Sequence, residues 1–455
     1  MTKSKVTVHI MRPGLLDDRT VCIGKSLLHK WRISDTQTVH FRFGAFKTDV
    51  RVIPIDRSEQ LRISQSLASQ IGITEGSSLR MNYRPGTQTL QAGPLIGVIV
   101  SRDFPSTPNR PFGSITAFCR ELVDACRQQG AFVYFFTPEG IRSGYDTLEG
   151  WTYAGGWKKR SFPAPDVLHN RLTSRKLENA RKVQRLFKET KTRHETLIFN
   201  EKYLDKTEVF AALRKEPELH SLLPESHPVT RFQTLQSMCA KYSSVFLKPV
   251  RGSLGKGIIR IQKTGAGGYA CHYSELNGTR VVVYPSLAKV YSAVAPRLKS
   301  QRYQIQQGLN IAKISGRPVD FRALVQKGLS GAWEVTSIVG RVAGPDRFVS
   351  NVAKGGKITQ AKKAVERSNV PAGKKSIALA RLRTAAIDIA EGVESTIDAH
   401  FGELGVDLAL DQTGKVWLLE VNSKPSKNDN TQLTGAKIRP SVKLLVEYAR
   451  HLAKL

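Results

Sequence analysis

No apolar run in this 455-residue chain approaches the ~20 residues that a membrane-spanning helix needs. The longest, Pro94-Leu-Ile-Gly-Val-Ile-Val100, reads as a buried strand. Lys3 and Lys5 open the chain, but polar residues and Arg12-Pro13 interrupt any apolar leader, so no secretory signal is expected. Only five cysteines occur, Cys22, Cys119, Cys126, Cys239 and Cys271, without a Cys-x-x-Cys pair; free thiols in a reducing cytosol follow. Cys119 and Cys126, seven apart on one helix, read as packing residues. There is no zinc-finger spacing, no aromatic RNA-binding strand and no leucine zipper, which argues against specific nucleic-acid recognition. No Ser-His-Asp set or metal-histidine spacing calls for a covalent nucleophile. Neither internal repeats nor long disordered tracts stand out.

Acid is the scarcest charge. Against 38 Asp and Glu stand 70 Lys and Arg, a net charge of +32, which attracts polyanions without distinguishing among them: nucleic acid, acidic protein surfaces, anionic lipid or cell-envelope polymers. The densest basic stretch runs from Lys354 to Arg383 and reads as a solvated face suited to an acidic assembly. With 40% hydrophobic and 24% charged residues, the composition is that of a soluble globular chain long enough for two to four domains.

Two segments carry chemistry. From Gly405 to Asn422 the chain reads strand-turn-strand. With Asp411 to Gly414 as the turn and no bulge, Leu410 pairs with Lys415 and Asp407 lies opposite Leu418, diagonal to Glu420. Alternation sends Asp407, Glu420 and Asn422 to one face, and Val406, Leu408, Leu410, Trp417, Leu419 and Val421 to the other. Two carboxylates and an amide oxygen suit magnesium, or manganese in its place; an edge hairpin with solvated polar residues is the alternative. From Ser244 to Ile261 an apolar strand, a glycine-rich loop over Gly252 to Gly257 and a second strand follow. This is no Walker A loop, since Lys256 precedes Gly257 and a β-branched run rather than Ser or Thr and a helix. Its glycines would let backbone amides approach phosphates, with Lys248 and Lys256 as cationic donors, unless it is an ordinary hairpin tip.

Together these segments resemble the ATP-grasp superfamily, and further motifs occur in that family's order: Leu247-Lys-Pro249, Tyr303 to Gly308, Val319-Asp-Phe-Arg322, Gly340 to Gly344, Ser350 to Gly356 and Leu419 to Pro425. Gly93 to Gly97, Pro165 to Arg171 and Phe199 to Lys206 extend the likeness to the endospore coat-associated YheC/YheD branch. The resemblance implies ATP and magnesium as cofactors. It implies that Lys206 and Lys248 contact ATP phosphates, that Gly252, Ser253, Gly255, Lys256 and Gly257 form a closing loop, and that Gln306, Gln307 and Leu309 form the adenine hinge. Many members carry a ribose-binding glutamate at that hinge; here neutral amides stand in its place. Arg322 and Arg341 would hold the γ-phosphate or an acyl phosphate, and Asn351, with Lys354, would reach substrate or phosphate.

The implied fold is a multidomain α+β and α/β chain. Residues 1–92 form a small β-rich, barrel-like domain with one helix over Ile63 to Ile71. Residues 93–205 form an α/β pre-ATP-grasp domain with a parallel sheet and a Gly/Trp/Tyr loop over Gly150 to Trp157. Residues 206–455 form the ATP-grasp domain, divided into a glycine-loop part at about 235–310 and a metal-bearing part at about 311–455, with helices near 375–399 and 441–453. The implied activity is ligation of a carboxylate substrate to an amine or thiol through an acyl phosphate, in the cytoplasm or at the developing spore surface. A coat scaffold that keeps the fold while binding ATP weakly or not at all is the competing expectation.

Overall fold

The structure, a computed structural model, describes residues 4–250, 256–275, 278–345, 347–348, 355–427 and 438–455. From Ser4 to Gly93 the elements are β1 (Ser4–Met11), β2 (Thr20–Gly24), α1 (Lys25–Trp31), β3 (Thr38–Phe43), β4 (Phe46–Ile55), β5 (Gln60–Ser64), α2 (Gln65–Ile71), β6 (Ser78–Arg84) and β7 (Thr89–Gly93). The strands close into a barrel ordered β1-β5-β2-β4-β3-β7-β6. Alternation fills it: Val6 and Val8, Val39, Phe41 and Phe43, and Leu79 and Met81 point inward.

The barrel overturns the expectation of no internal repeat. The unit β2-α1-β3 recurs as β5-α2-β6 forty residues later, with Ile23, Ser26, Leu27 and Ile33 matching Ile63, Ser66, Leu67 and Ile73. Even the backbone repeats: Arg32 and Gly72 cap the two helices at φ 56° and 71°, and Thr36 and Gly76 follow at 63° and 71°.

Next come β8 (Leu95–Val100), α3 (Thr116–Gln129), β9 (Phe132–Phe136), β10 (Thr147–Tyr153), β11 (Trp157–Pro163), β12 (Val167–Arg171), α4 (Arg175–Glu178), α5 (Arg181–His194) and β13 (Leu197–Phe199). They build a sheet ordered β11-β10-β9-β8-β12-β13. Its β9, β8, β12 and β13 are parallel, but β10 and β11 form an antiparallel hairpin. The expected loop from Gly150 to Trp157 is therefore mostly strand. Gly150 is required there because a Cβ would stand 2.8 Å from the Phe135 carbonyl oxygen. Tyr134, Phe136 and Phe162 merge one face with the barrel core. Val133 and Phe135 pack the other against α3 and the C-terminal helix, so that helix, assigned from the sequence to the third unit, shares the core of the second.

After α6 (Lys206–Leu213), whose Val209, Phe210 and Leu213 join the core of the last sheet, come β14 (Ser226–Pro228), α7 (Phe232–Lys241), β15 (Ser244–Pro249), β16 (Ile259–Lys263), β17 (Tyr269–Ser274), β18 (Thr279–Tyr284), α8 (Leu287–Ser300) and β19 (Tyr303–Gln307). Their antiparallel sheet runs β14-β19-β15-β16-β17-β18, with α7 and α8 packed on Val245, Leu247, Ile259 and Ile305. The last sheet, β23-β22-β21-β24-β25, uses β20 (Lys313–Ile314), β21 (Arg317–Lys327), β22 (Trp333–Val342), β23 (Lys357–Gln360), α9 (Ala361–Arg367), α10 (Ala372–Thr396), β24 (Glu403–Leu410), β25 (Val416–Asn422) and α11 (Pro440–Ala453). Along α10, Ala378, Leu382, Ala385, Ile389 and Val393 recur at helical spacing and cover Phe321, Val406, Leu408 and Leu418.

A buried ionic knot joins this sheet to the second. Glu403 on β24, fully enclosed, lies 3.3 Å from both Arg171 and His169 of β12 and also pairs with Lys427. All five cysteines are buried and free, and burial pushes the Cys119 and Cys126 thiols well up. Among the described residues no helix is long and apolar enough to cross a membrane.

Candidate functional site

The β24–β25 hairpin departs from the straight register. Asp411 holds a wider turn: its Oδ1 accepts from Thr413 N at 2.8 Å and Lys415 N at 3.0 Å, and its Oδ2 from the Trp417 indole at 2.8 Å. Leu410 therefore pairs with Val416, not Lys415. A bulge at Leu419 then places Asp407 directly opposite Glu420 rather than opposite Leu418. Val416 and Leu418 join the core, whereas Leu419, expected there, lines a cavity with Asp407, Glu420 and Asn422.

That cavity, about 380 Å3, lies between the sheet of β15 and β19 and the sheet of β21, β24 and β25. Lys206, Lys248, Lys256, Gln306, Gln307, Leu309, Arg322 and Arg341 also line it. Lys206 opens α6, whose Asp205 cap accepts from Thr207 N at 2.9 Å; its Nζ stands 3.2 Å from Glu420 Oε1. Lys248 donates to the Gln306 amide oxygen. Burial pulls the Lys248 ammonium down to about 8, against the field of Glu420. Gly257, at φ 72°, accepts from the Tyr303 hydroxyl at 3.1 Å, next to Lys256. Gly252, Ser253, Gly255 and Asn351 lie outside the described residues.

At the hinge, Gln307 Oε1 accepts from Glu225 N at 3.2 Å. The next residue must be glycine, since a Cβ on Gly308 would stand 2.3 Å from the Ser244 carbonyl oxygen. Both hinge amide oxygens are thus engaged within the protein.

The two arginines are expected to grip a phosphoryl group; here both forks rest on carboxylates. Arg322 pairs bidentately with Asp407, its Nη2 2.8 Å from Oδ2. Arg341 pairs bidentately with Asp320 at 2.6 and 2.9 Å and reaches Asp407 at 3.1 Å. The register dictates this, since Arg322 faces Asp407 and Arg341 faces Asp320 across adjacent strands. Burial pushes the Asp407 carboxyl up, but the two guanidiniums bring it below its ordinary value. Burial pulls both arginines down, and Asp407, joined by Asp320 at Arg341 and by Glu420 at Arg322, more than restores them.

Asp320 and Lys424 also line the cavity and were not singled out from the sequence, although both sit inside the quoted Asp-Phe-Arg and Glu-Val-Asn-Ser-Lys runs. Lys424 Nζ bonds the Asn170 carbonyl at 2.8 Å and lies 3.2 Å from Glu178. Burial pulls it down to about 7. Phe246 and Phe348, with ring centroids 6.0 Å apart, add apolar lining that no spacing had signalled.

Among the described residues no three His, Cys, Asp or Glu side chains gather as a metal cage. Asp407, Glu420 and Asn422, the residues expected to hold a metal, all line the cavity, and both oxygens of Asp407 are held by the two arginines. Carboxylate and amide oxygens are the hard donors that magnesium takes, with water and phosphate completing its shell.

A family model described as YheC/D like ATP-grasp matches residues 195–452. Endospore coat-associated protein YheD of Bacillus subtilis (strain 168) is 29% identical over 341 residues, covering 75% of this chain and 74% of that protein. Its counterpart YheC, from the same organism, is 22% identical over 316 residues, covering 68% and 85%. Among solved structures, D-cycloserine synthetase DcsG superposes with a TM-score of 0.46 at 15% identity, covering 79% of this chain and 99% of that one.

Proposed function

Because the chain belongs to the YheC/D-like ATP-grasp family, we propose that it is an ATP- and magnesium-dependent ligase that joins a carboxylate substrate to an amine or thiol. One observation carries the reading: Lys206, Lys248 and Lys256 and the Asp407, Glu420 and Asn422 oxygens converge on a single cavity between two sheets.

In this reading Lys206, Lys248 and Lys256 neutralise the triphosphate, Leu309 and Phe246 flank the base, and Gln306 and Gln307 shape the hinge. Magnesium, held by Glu420, Asn422 and Asp407, would offset charge on the phosphates. A substrate carboxylate oxygen attacks the γ-phosphorus, ADP departs, and the acyl phosphate forms; the nucleophile then attacks the acyl carbon and phosphate leaves. Arg322 and Arg341 stabilise the transferring group, each guanidinium exchanging part of its hold on Asp407 for phosphoryl oxygens. No side-chain nucleophile is needed, and catalysis rests on positioning and electrostatics. By analogy with its relatives' names, the protein would act at the spore coat, and its net charge of +32 favours an acidic protein or envelope polymer there.

A second reading has its own support. Asp320, Arg341, Asp407 and Arg322 already satisfy one another without a ligand, as a scaffold that kept the fold would require. Isothermal titration with magnesium and a non-hydrolysable ATP analogue separates the two. Binding, followed by ADP release on screening carboxylate and amine pairs, supports the ligase; folded protein that binds no nucleotide supports the scaffold.

A further inference from the structure

Between residues 357 and 383 the chain carries eight basic residues and one acid, Glu366. They lie on β23, α9 and α10, and Lys362, Lys363, Arg367, Lys374, Arg381 and Arg383 are exposed. None of the eight cations has a carboxylate within 4.0 Å among the described residues. Some cations elsewhere are neutralised locally, as Arg120 is by Asp124 at 3.2 Å and Lys191 by Glu201 at 2.6 Å.

The face is more than a charge excess. The side of α10 carrying Ala378, Leu382 and Ala385 is buried. On the outer side Lys374, Ile377 and Arg381 fall at i, i+3 and i+7, one stripe of the helix, and Ile377 is 40% exposed. Gly373 adds open room, with no atom within 4 Å of where its Cβ would be. An apolar side chain thus sits between cations one turn away on either side. Neither α9 nor α10 contains an aromatic residue on which a nucleobase could stack. A polyphosphate backbone gains nothing from Ile377, whereas a polypeptide alternating carboxylates with apolar side chains matches both features.

We propose that the outer face of α9 and α10 is a docking surface for an acidic polypeptide segment that also carries apolar side chains. The face abuts the Lys313 corner of the cavity, where Asn369 accepts from Lys313 N at 2.7 Å. That corner is the hinge end, away from Asp407 and Glu420, so the face recruits a partner rather than presenting its reacting group. The inference stands apart from the ligase reading, because nucleotide binding is measured separately.

The test uses the full chain. One variant combines Lys362→Glu, Lys363→Glu, Arg381→Glu and Arg383→Glu. A control reverses four exposed cations of α5, Arg181, Lys182, Arg185 and Lys188, a face on which no exposed apolar residue stands. Binding of a fluorescent peptide of repeating Glu-Leu-Glu and of polyadenylate is measured at about 0.15 M salt, where distant charges are screened. The first variant should lose about tenfold or more in peptide affinity and the control less than about threefold, since paired patches rather than net charge set specificity. Ile377→Ser, which alters no charge, should cost about threefold or more, the value of about one newly buried methylene group. An unchanged urea-unfolding midpoint and slope report that each variant is folded. Equal losses in the two reversed variants, an unaffected Ile377→Ser, or polyadenylate losing as much as the peptide would overturn the proposal.

Discussion

Replacing Asp407 with alanine removes the carboxylate that Arg322 and Arg341 share and takes from Arg322 its bidentate acceptor. Removing one member of a buried ion pair typically costs about 3–5 kcal/mol, because the other charge stays behind without compensation. Arg341 keeps Asp320, and the Arg322 side chain is 23% exposed, so water can solvate part of it. The cost should then fall at the lower end, about 3 kcal/mol. Glu420→Gln differs, since the Glu420–Lys206 pair lies at the cavity mouth with side chains 29% and 15% exposed, and its loss should cost at most about 1 kcal/mol. Urea unfolding reads both: Asp407→Ala should lower the midpoint with an unchanged slope, and Glu420→Gln should barely move it. Both should lose magnesium-dependent nucleotide binding. The double variant Arg322→Met with Asp407→Leu should recover stability without recovering binding, with a coupling of about 2 kcal/mol or more. An Asp407→Ala protein with the wild-type midpoint would refute the ion-pair reasoning.

Three further outcomes are expected. Leu418→Ala, at a fully buried site, should cost about 2–5 kcal/mol, whereas Leu419→Ala should leave stability within about 1 kcal/mol and weaken nucleotide binding instead; the reverse pattern by unfolding and titration would contradict the bulge. Lys248→Met should weaken nucleotide binding about tenfold or more, from the ~1.5–3 kcal/mol of a charged hydrogen bond, and unchanged affinity by titration would remove Lys248 from the phosphate site. Burial holds the imidazole of His169 neutral down to about 3, against an ordinary value of 6.5. Between those values the unfolded chain binds the extra proton, so stability should fall as pH drops below about 6.5. Glu403 adds to the loss at the acid end, because Lys427, His169 and Arg171 overcome its burial and hold it well below the carboxylate range. His169→Gln should flatten that profile in denaturation measured across pH; an identical slope would sink the assignment.

The elements that sequence reading located are those with strong local signals. The run from Leu95 to Val100 became β8, and the helical pattern near 375–399 became α10 within three residues at either end. The hairpin was legible in outline because Val406, Leu408 and Leu410 alternate cleanly, but its register was not: a bulge adds one residue without altering composition, so nothing in Trp417-Leu-Leu-Glu420 says which leucine turns inward. The partners of Arg322 and Arg341 were equally hidden, because they depend on which strands adjoin β21 rather than on spacing along it. Helix α1 was overlooked since its seven residues carry no side-chain cap, whereas Ser64 caps α2 by accepting from Leu67 N at 3.0 Å. The forty-residue repeat escaped because most equivalent positions agree only in polarity.

The repeated halves of the barrel are not separable modules. Strand β1 lies beside β5 and β6, and β2 beside β4 and β5, so each half completes its hydrogen bonding only with the other. A polypeptide bearing one half alone would leave strand edges that only a second, identical copy could close. The geometry is therefore what gene duplication and fusion of a symmetric dimer would leave behind. Damage to either half therefore opens the strand edges of both, and the N-terminal unit should unfold as one cooperative body.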